Sequence, residues 1–219
     1  MQLHKRKAQA VQEFEQWAHS YDRSVLNFLI FRPSHRIILQ KLRRRAHGST
    51  SPFRILDIGC GTGTFLAACL ATGLSVQATG LDLSYNMVRN ATLKADAIQF
   101  DSSLISFAVG DAEHLPFESG YFDMVTSSNS FHHYPHQLQA VREMRRVLKA
   151  DGQLIIVDGH RDDPLGYLIY DIYTTAVEKD IGYCSRRRFT KLLKEAGFHK
   201  VTQNMRGLFP PLLTITGQL

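Results

Sequence analysis

Three acidic residues lie at or near the ends of apolar runs that are typical of buried strands. Asp57 lies in Ile-Leu-Asp-Ile, Asp82 in Leu-Asp-Leu, and Asp111 in Gly-Asp-Ala after a third run. In an open parallel sheet the carboxyl ends of the strands meet at one edge, where a ligand binds in the crevice. Each carboxylate alone could be an ordinary loop or cap residue. Because all three carboxylates occur at the ends of successive predicted strands, together they favour a site for a ligand that offers hydroxyl groups or positive charge.

A glycine-rich turn, Gly59–Gly63, follows the first of these runs. Glycines at such a turn let a nucleotide-like ligand approach the backbone closely. The third glycine of a dinucleotide pattern G-x-G-x-x-G would fall at Thr64 or Leu66, so that pattern does not fit. A carboxylate at Asp57 would also repel a pyrophosphate, and a buried carboxylate needs a partner. S-Adenosylmethionine (SAM) carries a cationic amine and a sulfonium and no phosphate, so the sign of the charge favours SAM over NAD.

The other two acidic residues suit the rest of such a ligand. Asp82 follows the glycine turn at about the 20-residue interval where nucleotide-binding α/β sheets place an acidic residue for the ribose hydroxyls. Asp111 ends the third strand, beside the position expected for adenine. The sequence therefore predicts a SAM site along three successive strand ends.

Strand and helix patterns alternate after residue 53, which predicts a parallel sheet with helices on both faces. The predicted strands are Arg54–Ile58, Val76–Leu83, Ile105–Val109, Phe122–Ser127, Leu154–Asp158, Val201–Arg206 and Leu212–Thr216. The predicted helices are Thr64–Ala71, Ser84–Ala97, Leu138–Lys149 (closed by Asp151-Gly152), Leu165–Val177 and Arg186–Ala196. The last two strands are too close in sequence for a parallel crossover, so they must form a hairpin. We predict an α/β fold with a doubly wound, seven-stranded, mostly parallel sheet that has one antiparallel strand.

The N-terminal residues are predicted to form a helical lid. Apolar residues recur at helical spacing from about Ala8 to Arg45, and Pro33 separates two helices, with Ser34 as the N-cap of the second. The linker-like stretch at 47–52 does not make either half an independent domain. We therefore predict a single domain over residues 1–219, with a helical cap at 1–50 and the SAM-binding α/β core at 51–219.

These segments resemble the class I SAM-dependent methyltransferases, in particular the small-molecule branch that includes the ubiquinone and menaquinone C-methyltransferases. The resemblance covers about Gln12 to Gly197. Its motifs are the glycine turn with its acidic strand ends and the segments Asp82–Met87, Gly110–Phe117, Phe122–Val125 and Arg146–Lys149. It implies a Rossmann-like methyltransferase fold with SAM as the cofactor.

The resemblance also implies a role for individual residues. Asp57, Gly59 and Gly61 would hold the methionine part, Asp82 would bind the ribose, and the remaining residues would contact adenine or the methyl end. The full cofactor-binding set is Tyr21, Asp57, Gly59, Cys60, Gly61, Asp82, Leu83, Met87, Asp111, Ala112, Ser127 and Ser128. Tyr21 lies in a segment similar to one whose tyrosine closes over the cofactor.

His133 and Tyr21 are the candidate catalytic residues. An imidazole titrates near neutral pH and suits a general base. The alternative is that His132 and His133 close the loop after the fourth strand and hydrogen-bond to backbone. Methyl transfer is an in-line displacement from an activated sulfonium, so positioning can supply most of the rate without a base.

The acceptor is predicted to be a small or lipid-like molecule. A stripe of Tyr167, Tyr170 and Tyr173 on one predicted helix would offer core packing or a wall of the acceptor pocket. The quinone-methylating enzymes carry an arginine-asparagine pair where this chain has His132-His133, which argues against a quinone precursor. The motif of the amino-methylating DNA enzymes is also missing, which argues against nucleic acid. An RNA methyltransferase and a non-catalytic SAM-binding partner protein are the alternatives.

Charge and composition limit the class of protein further. The 219 residues carry a formal net charge of +6, with basic clusters at Lys5–Lys7, Arg43–Arg45 and Arg186–Arg188. Such a surface attracts nucleic acid, anionic lipid or acidic substrates, although solvated helix faces are the commoner explanation. No apolar run reaches the roughly 18 to 20 residues of a membrane span. The cysteines lack the spacing of a metal site. We expect a cytoplasmic protein with no metal site and no transmembrane segment, for which peripheral membrane contact remains open.

Overall fold

The computed structural model describes residues 31–49, 51–162, 164–174, 182–206 and 211–219. Strands and helices alternate along these ranges. The strands are β1 (Phe53–Ile58), β2 (Val76–Asp82), β3 (Ile105–Val109), β4 (Phe122–Ser128), β5 (Leu148–Gly159), β6 (Lys200–Arg206) and β7 (Leu212–Gln218). The helices are α1 (Arg32–Ala46), α2 (Thr64–Leu70), α3 (Tyr85–Ala97), α4 (Gln137–Val147), α5 (Pro164–Gly166) and α6 (Arg186–Glu195), with a 3₁₀ turn at Phe131–His133 and a π-helix at Tyr167–Thr174.

The seven strands form one sheet in the order β3-β2-β1-β4-β5-β7-β6. β7 is antiparallel to both of its neighbours, β5 and β6, whereas β1, β2, β3, β4 and β5 pair in parallel. The predicted doubly wound sheet with one antiparallel strand is therefore confirmed. The direction of the chain across the sheet reverses between β1 and β4, so the crevice beyond their carboxyl ends is the expected ligand site.

Alternating side chains of the strands supply a hydrophobic core on each face of the sheet. Leu56 and Val125 pack on the face that carries α4 and α6. Their neighbours Ile55 and Met124 pack on the opposite face with residues of α1 and α2. This opposite packing of adjacent residues is the period-two geometry of a strand. Because Ile38 and Leu42 belong to this second core, α1, which the sequence predicted to be part of the helical cap, packs on the sheet.

The start of α1 differs from the prediction. The helix begins at Arg32 and has Pro33 in its first turn, where the missing N–H costs no hydrogen bond. The prediction that Ser34 is the N-cap is therefore wrong. Ser34 is a buried helical residue, and Nδ2 of Asn129 donates a hydrogen bond to its Oγ at 3.0 Å.

The end of α4 also differs from the prediction. The helix stops at Val147, and β5 begins at once with Leu148, which pairs with Phe122 of β4. The predicted helix to Lys149, closed by Asp151-Gly152, is therefore too long. The apolar spacing did not locate the boundary because Leu148 is buried either as the last helical residue or as the first strand residue.

Of the predicted tyrosine stripe, Tyr167 and Tyr170 do not share one face. Tyr167 is half exposed, whereas Tyr170 is buried. Both lie in a π-helix, whose hydrogen bonds join residues five apart, so residues three apart no longer share a face. The side chain of Tyr173 lies outside the part of the chain that the structure describes, and so do Tyr21 and the rest of residues 1–30.

Two further findings concern the described residues alone. None of their helices combines the length and the apolar character that crossing a membrane requires. They also contain no group of three His, Cys, Asp or Glu side chains that could hold a metal ion.

Candidate functional site

The glycine turn after β1 has a backbone that only glycine adopts easily. Gly59, Gly61 and Gly63 have φ angles of 73°, 52° and 72°, in the left-handed region. A Cβ on Gly63 would come within 2.8 Å of the ring of Phe107. The backbone N–H groups of Gly59 and Cys60 both donate to the carbonyl of Leu81, at 2.8 and 3.1 Å. The turn is therefore fixed against the end of β2.

Asp82 joins this turn to the next loop. Its Oδ2 accepts a hydrogen bond from the Gly61 N–H at 2.8 Å, and its Oδ1 accepts one from the Ser84 N–H at 2.9 Å. Burial raises the pKa of Asp82, although these backbone N–H groups oppose the shift. Each carboxylate oxygen has a second lone-pair site, so Asp82 can still accept from a pair of hydroxyl groups.

Asp57 is a second buried carboxylate, only 3% exposed. The hydroxyl of Thr126 donates to its Oδ1 at 2.7 Å. Burial raises the pKa of Asp57 to about 7, the hydrogen bond from Thr126 opposes the shift, and the charge of Asp82 adds to it. Two neighbouring buried carboxylates that resist ionisation favour a ligand that brings positive charge.

Two cavities adjoin the turn and share Gly59, Gly61 and Ser128. The larger has a volume of about 90 Å³ and is lined by Asp82, Leu83, Ser84, Met87, Gly110, Asp111, Ala112 and Glu113 on one side, and by Asn129, Ser130, His133, Tyr134 and Pro135 on the other. The smaller has a volume of about 30 Å³ and is lined by Phe31, His35, Asp57, Cys60, Thr62, Thr64 and Phe65. Together they form one crevice at the carboxyl ends of β1, β2, β3 and β4.

The crevice brings together most of the residues that the sequence singled out. Asp82, Leu83, Met87, Asp111 and Ala112 line the larger cavity. Asp57 and Cys60 line the smaller one. Burial raises the pKa of the Cys60 thiol well above its usual value, so that this side chain packs as a neutral group.

Ser127 is placed differently from its neighbour Ser128. It lines neither cavity and is fully buried. Its hydroxyl lies 2.9 Å from Oγ of Ser130 and 3.1 Å from the hydroxyl of Tyr134. Ser127 therefore supports the crevice from beneath, whereas Ser128 lines both cavities.

Ser130 and Tyr134 were not singled out from the sequence, yet they fix the loop after β4. Both hydroxyls donate to the carbonyl of Ile58 at 3.1 Å. Burial raises the pKa of Tyr134 far above its usual range, so the phenol remains a donor. The loop that carries His133 is thereby tied to the end of β1.

His132 and His133 have different surroundings. His132 is 7% exposed, and its Nδ1 lies 2.7 Å from Oδ1 of Asp158. His133 lines the larger cavity. Burial lowers the pKa of His133 well below 6.5, and the neighbouring His132, whose ring centroid lies 4.1 Å away, lowers it further. His133 is therefore neutral at physiological pH.

A salt bridge holds the loop that follows β3. Arg146 binds Glu143 at 2.8 Å and donates to the carbonyls of Leu115 and Phe117. Glu143 in turn accepts from the Leu115 N–H at 2.9 Å. The wall of the crevice that begins at Asp111 is thus anchored to α4.

The residues present fit the donor set that SAM requires. Asp57 would supply negative charge to a cationic amine and sulfonium, Asp82 would offer acceptors to ribose hydroxyls, and Met87 with Ala112 would offer an apolar surface to a purine. No phosphate-binding cluster of basic side chains lines either cavity among the described residues.

Comparison with known proteins shows the family. Residues 56–156 match the profile of a family described as "Methyltransferase domain". The demethylmenaquinone methyltransferase of Lactococcus lactis is 33% identical over 190 residues, which span 84% of this chain and 71% of that protein. The chain belongs to the SAM-dependent methyltransferases. The demethylmenaquinone methyltransferase of Staphylococcus epidermidis is 29% identical to this methyltransferase over 209 residues, which span 93% of this chain and 84% of that protein.

Solved structures share the fold of this methyltransferase. A SAM-dependent methyltransferase from Aquifex aeolicus superposes with a TM-score of 0.69 at 16% identity, covering 93% of this chain and 97% of that chain. A chain from the complex between the Haloferax volcanii Trm112 methyltransferase activator and a methyltransferase superposes with a TM-score of 0.72 at 21% identity, covering 95% of this chain and 96% of that chain.

The structure adds site residues that sequence reasoning missed. His35 in the first turns of α1 and Phe31, the residue just before α1, line the smaller cavity of the methyltransferase. Asn129, at the end of β4, has a φ of 53° and lines the larger cavity. An asparagine after a strand is a signal for a left-handed residue, but nothing in the spacing of α1 indicates that His35 reaches the crevice.

Proposed function

We propose that this methyltransferase methylates a ring carbon of a small quinol, of the kind that a demethylated menaquinone becomes when it is reduced. The observation that carries the proposal is the position of the His133 imidazole in the wall of the larger cavity, opposite Asp82 and Asp111. The names of the relatives that cover most of the chain support the same substrate class. They speak against the expectation, drawn from His132-His133 in place of an arginine-asparagine pair, that a quinone precursor is disfavoured.

The two carboxylates of the crevice serve the cofactor. Asp57 and Asp82 supply negative charge, and Asp82 also supplies acceptors for hydroxyl groups. When bound, SAM supplies an electrophilic methyl group on a positively charged sulfur. The fixed turn and the anchored walls exclude water and hold the acceptor in line, which is where most of the rate of such a displacement comes from.

His133 accepts the proton of the quinol hydroxyl at a ring nitrogen. Loss of this proton raises the electron density on the adjacent ring carbon, which then forms the new carbon–carbon bond as the carbon–sulfur bond breaks. The ring proton on that carbon then leaves to water, which restores the aromatic ring, and the phenolate oxygen takes back the proton held by His133. A neutral imidazole is the protonation state that a general base requires, and its lowered pKa makes the transfer depend on close positioning of the hydroxyl group.

His132 and Asp158 position the base. The ion-pair distance of 2.7 Å fixes the ring of His132, and the His132 backbone N–H donates to the other oxygen of Asp158 at 3.0 Å. The ring of His132 packs between His133 and Tyr183, with centroids at 4.1 and 4.3 Å. The pair therefore restrains His133 from behind without itself lining the cavity.

An acceptor panel tests this proposal. Release of S-adenosylhomocysteine is measured anaerobically with a reduced short-chain demethylmenaquinone, with a phenolic acceptor that has no second ring hydroxyl, and with mixed cellular RNA. We expect turnover with the quinol above all, and its loss when the quinone is left oxidised, because the oxidised ring has no hydroxyl proton to give. Turnover with RNA alone would overturn the proposal in favour of an RNA methyltransferase. Tight SAM binding without turnover of any acceptor would favour a non-catalytic SAM-binding protein.

A further inference from the structure

The smaller cavity is lined by His35 as well as by Asp57 and the glycine turn. It shares Gly59, Gly61 and Ser128 with the larger cavity, whose far wall carries Asp82, Met87 and Asp111. Because those residues suit ribose and adenine, the smaller cavity takes the opposite end of the cofactor. That end is an amino acid, with one ammonium and one carboxylate group.

A zwitterionic group needs partners of both signs. Asp57 supplies the negative charge in the smaller cavity. Among the described side chains that line this cavity, His35 is the one that can carry positive charge or present a nitrogen-bound proton to a carboxylate. Lys94 lies behind the lining, where its Nζ donates to the hydroxyls of Thr62 and Thr64 at 3.0 and 2.9 Å. Its charge adds to the preference for an anion at the same end of the cavity.

The position of His35 is fixed by its neighbours. The preceding residue, Ser34, is buried and hydrogen-bonded to Asn129 at the end of β4. The His35 ring itself packs on Phe65 of α2, with ring centroids 5.3 Å apart. Contacts to two elements that border the crevice thus hold the start of α1 against the cavity, and the imidazole is preorganised rather than flexible.

We propose that His35 binds the carboxylate of the methionyl group of SAM, opposite the ammonium at Asp57, so that α1 is part of the cofactor site. The inference rests on the SAM dependence of the family and does not depend on the identity of the methyl acceptor. A neutral imidazole can donate one hydrogen bond to a carboxylate, and the negative charge of that carboxylate favours the protonated ring. Burial lowers the pKa of His35 to about 4, so the ring is neutral before the ligand binds.

Decarboxylated SAM provides a direct test, because it keeps the ammonium and the sulfonium and lacks only the carboxylate. The affinities of SAM and decarboxylated SAM are measured by calorimetric titration for the wild type and for His35→Phe, which keeps the packing on Phe65 but has no donor. We expect the wild type to prefer SAM and His35→Phe to bind SAM about tenfold more weakly or worse, with affinity for decarboxylated SAM unchanged. His35→Gln, which keeps an N–H donor, should recover part of the preference for SAM.

Two controls make the result specific. His47→Gln changes an exposed histidine just after the same helix and should leave both affinities unchanged. Asp57→Asn should weaken both ligands, because both carry the ammonium. An equal loss for SAM and decarboxylated SAM in His35→Phe would show that His35 acts only through the fold, and no loss for either would exclude it from the site. If His35→Phe does not fold, as judged by thermal unfolding, the ratio of the two affinities in His35→Gln decides between these outcomes.

Discussion

The backbone N–H of Gly61 donates to Oδ2 of Asp82 at 2.8 Å, so one carboxylate links the turn after β1 to the loop after β2. The Ser84 N–H binds the other oxygen. The position of Asp82 is thereby set by two backbone groups before any ligand arrives. This preorganisation means that the carboxylate does not have to give up side-chain freedom when it binds a ribose.

Asp82→Ala is expected to weaken SAM and S-adenosylhomocysteine binding by about ten- to a hundredfold. The loss follows from the removal of charged hydrogen bonds, worth roughly 1.5 to 3 kcal/mol, and from the release of the glycine turn. Calorimetric titration measures the change. Asp96→Ala, an exposed aspartate in the last turn of α3, is the matched control and should bind both ligands normally. Equal affinities in the two variants would remove Asp82 from the site.

Asp57→Asn is expected to stabilise the ligand-free protein while it weakens SAM binding. The pKa of Asp57 is about 7 in the folded protein and 3.8 when unperturbed, so the folded state binds this proton more tightly than the unfolded state does. Stability therefore falls as the pH rises from 3.8 to about 7 and stays reduced above that range. Asparagine removes the charge and still accepts from Thr126. The free energy of unfolding of the Asp57→Asn protein at about pH 8 should exceed that of the wild type by about 2 to 4 kcal/mol.

The same variant has a distinctive pH dependence. Denaturant unfolding should show the gain in stability shrinking toward acidic pH, because a protonated Asp57 carries no charge for the substitution to remove. A gain that does not depend on pH, or a loss of stability at about pH 8, would contradict the assignment of a costly buried carboxylate at this position.

Asn129 is expected to tolerate glycine better than alanine. Its φ of 53° is accessible to glycine without strain, whereas alanine pays a left-handed penalty of about 1 to 2 kcal/mol. Both variants lose the hydrogen bond to Ser34, so the difference between their free energies of unfolding isolates the backbone. Chemical denaturation gives that difference. Identical stabilities would show that the backbone at this position relaxes when the side chain changes.

His133→Asn is expected to lower kcat by about a hundredfold or more, the scale of general-base catalysis, and to leave SAM affinity within about twofold. Burial and the neighbouring His132 hold the pKa of His133 well below 6.5. Activity of the wild type should therefore be flat near neutral pH and fall only at more acidic pH, where the base becomes protonated. Single-turnover rates over a pH series measure both effects. A kcat that survives the substitution would assign the rate to positioning alone.

The sheet and its acidic strand ends could be predicted because they follow from local patterns. Apolar runs with glycine turns locate the strands along the chain, and a parallel arrangement of these strands brings Asp57, Asp82 and Asp111 to one edge of the sheet. The period of two along a strand also implies that Ser127 and Ser128 point to opposite sides. That rule would have excluded Ser127 from the lining, but the resemblance to the family assigned both residues together.

His35 could not be found in this way, because its role depends on how α1 packs against β4 and α2. The prediction that Ser34 is an N-cap was wrong for a related reason. Serine is a common N-cap residue, but here the proline before it lies inside the first turn and the serine hydroxyl bonds to Asn129, 95 residues away in sequence. Tertiary contacts of this length leave no trace in a local pattern.

The proposed reaction transfers a methyl group from SAM to a quinol carbon. The most direct measurement follows an isotope-labelled methyl group from SAM into a reduced short-chain demethylmenaquinone, with magnetic resonance used to locate the labelled carbon in the product. We predict one labelled methyl group on a ring carbon for each S-adenosylhomocysteine released, and loss of this product in His133→Asn. A label found on oxygen, or no transfer to the quinol by an enzyme that binds SAM, would contradict the account.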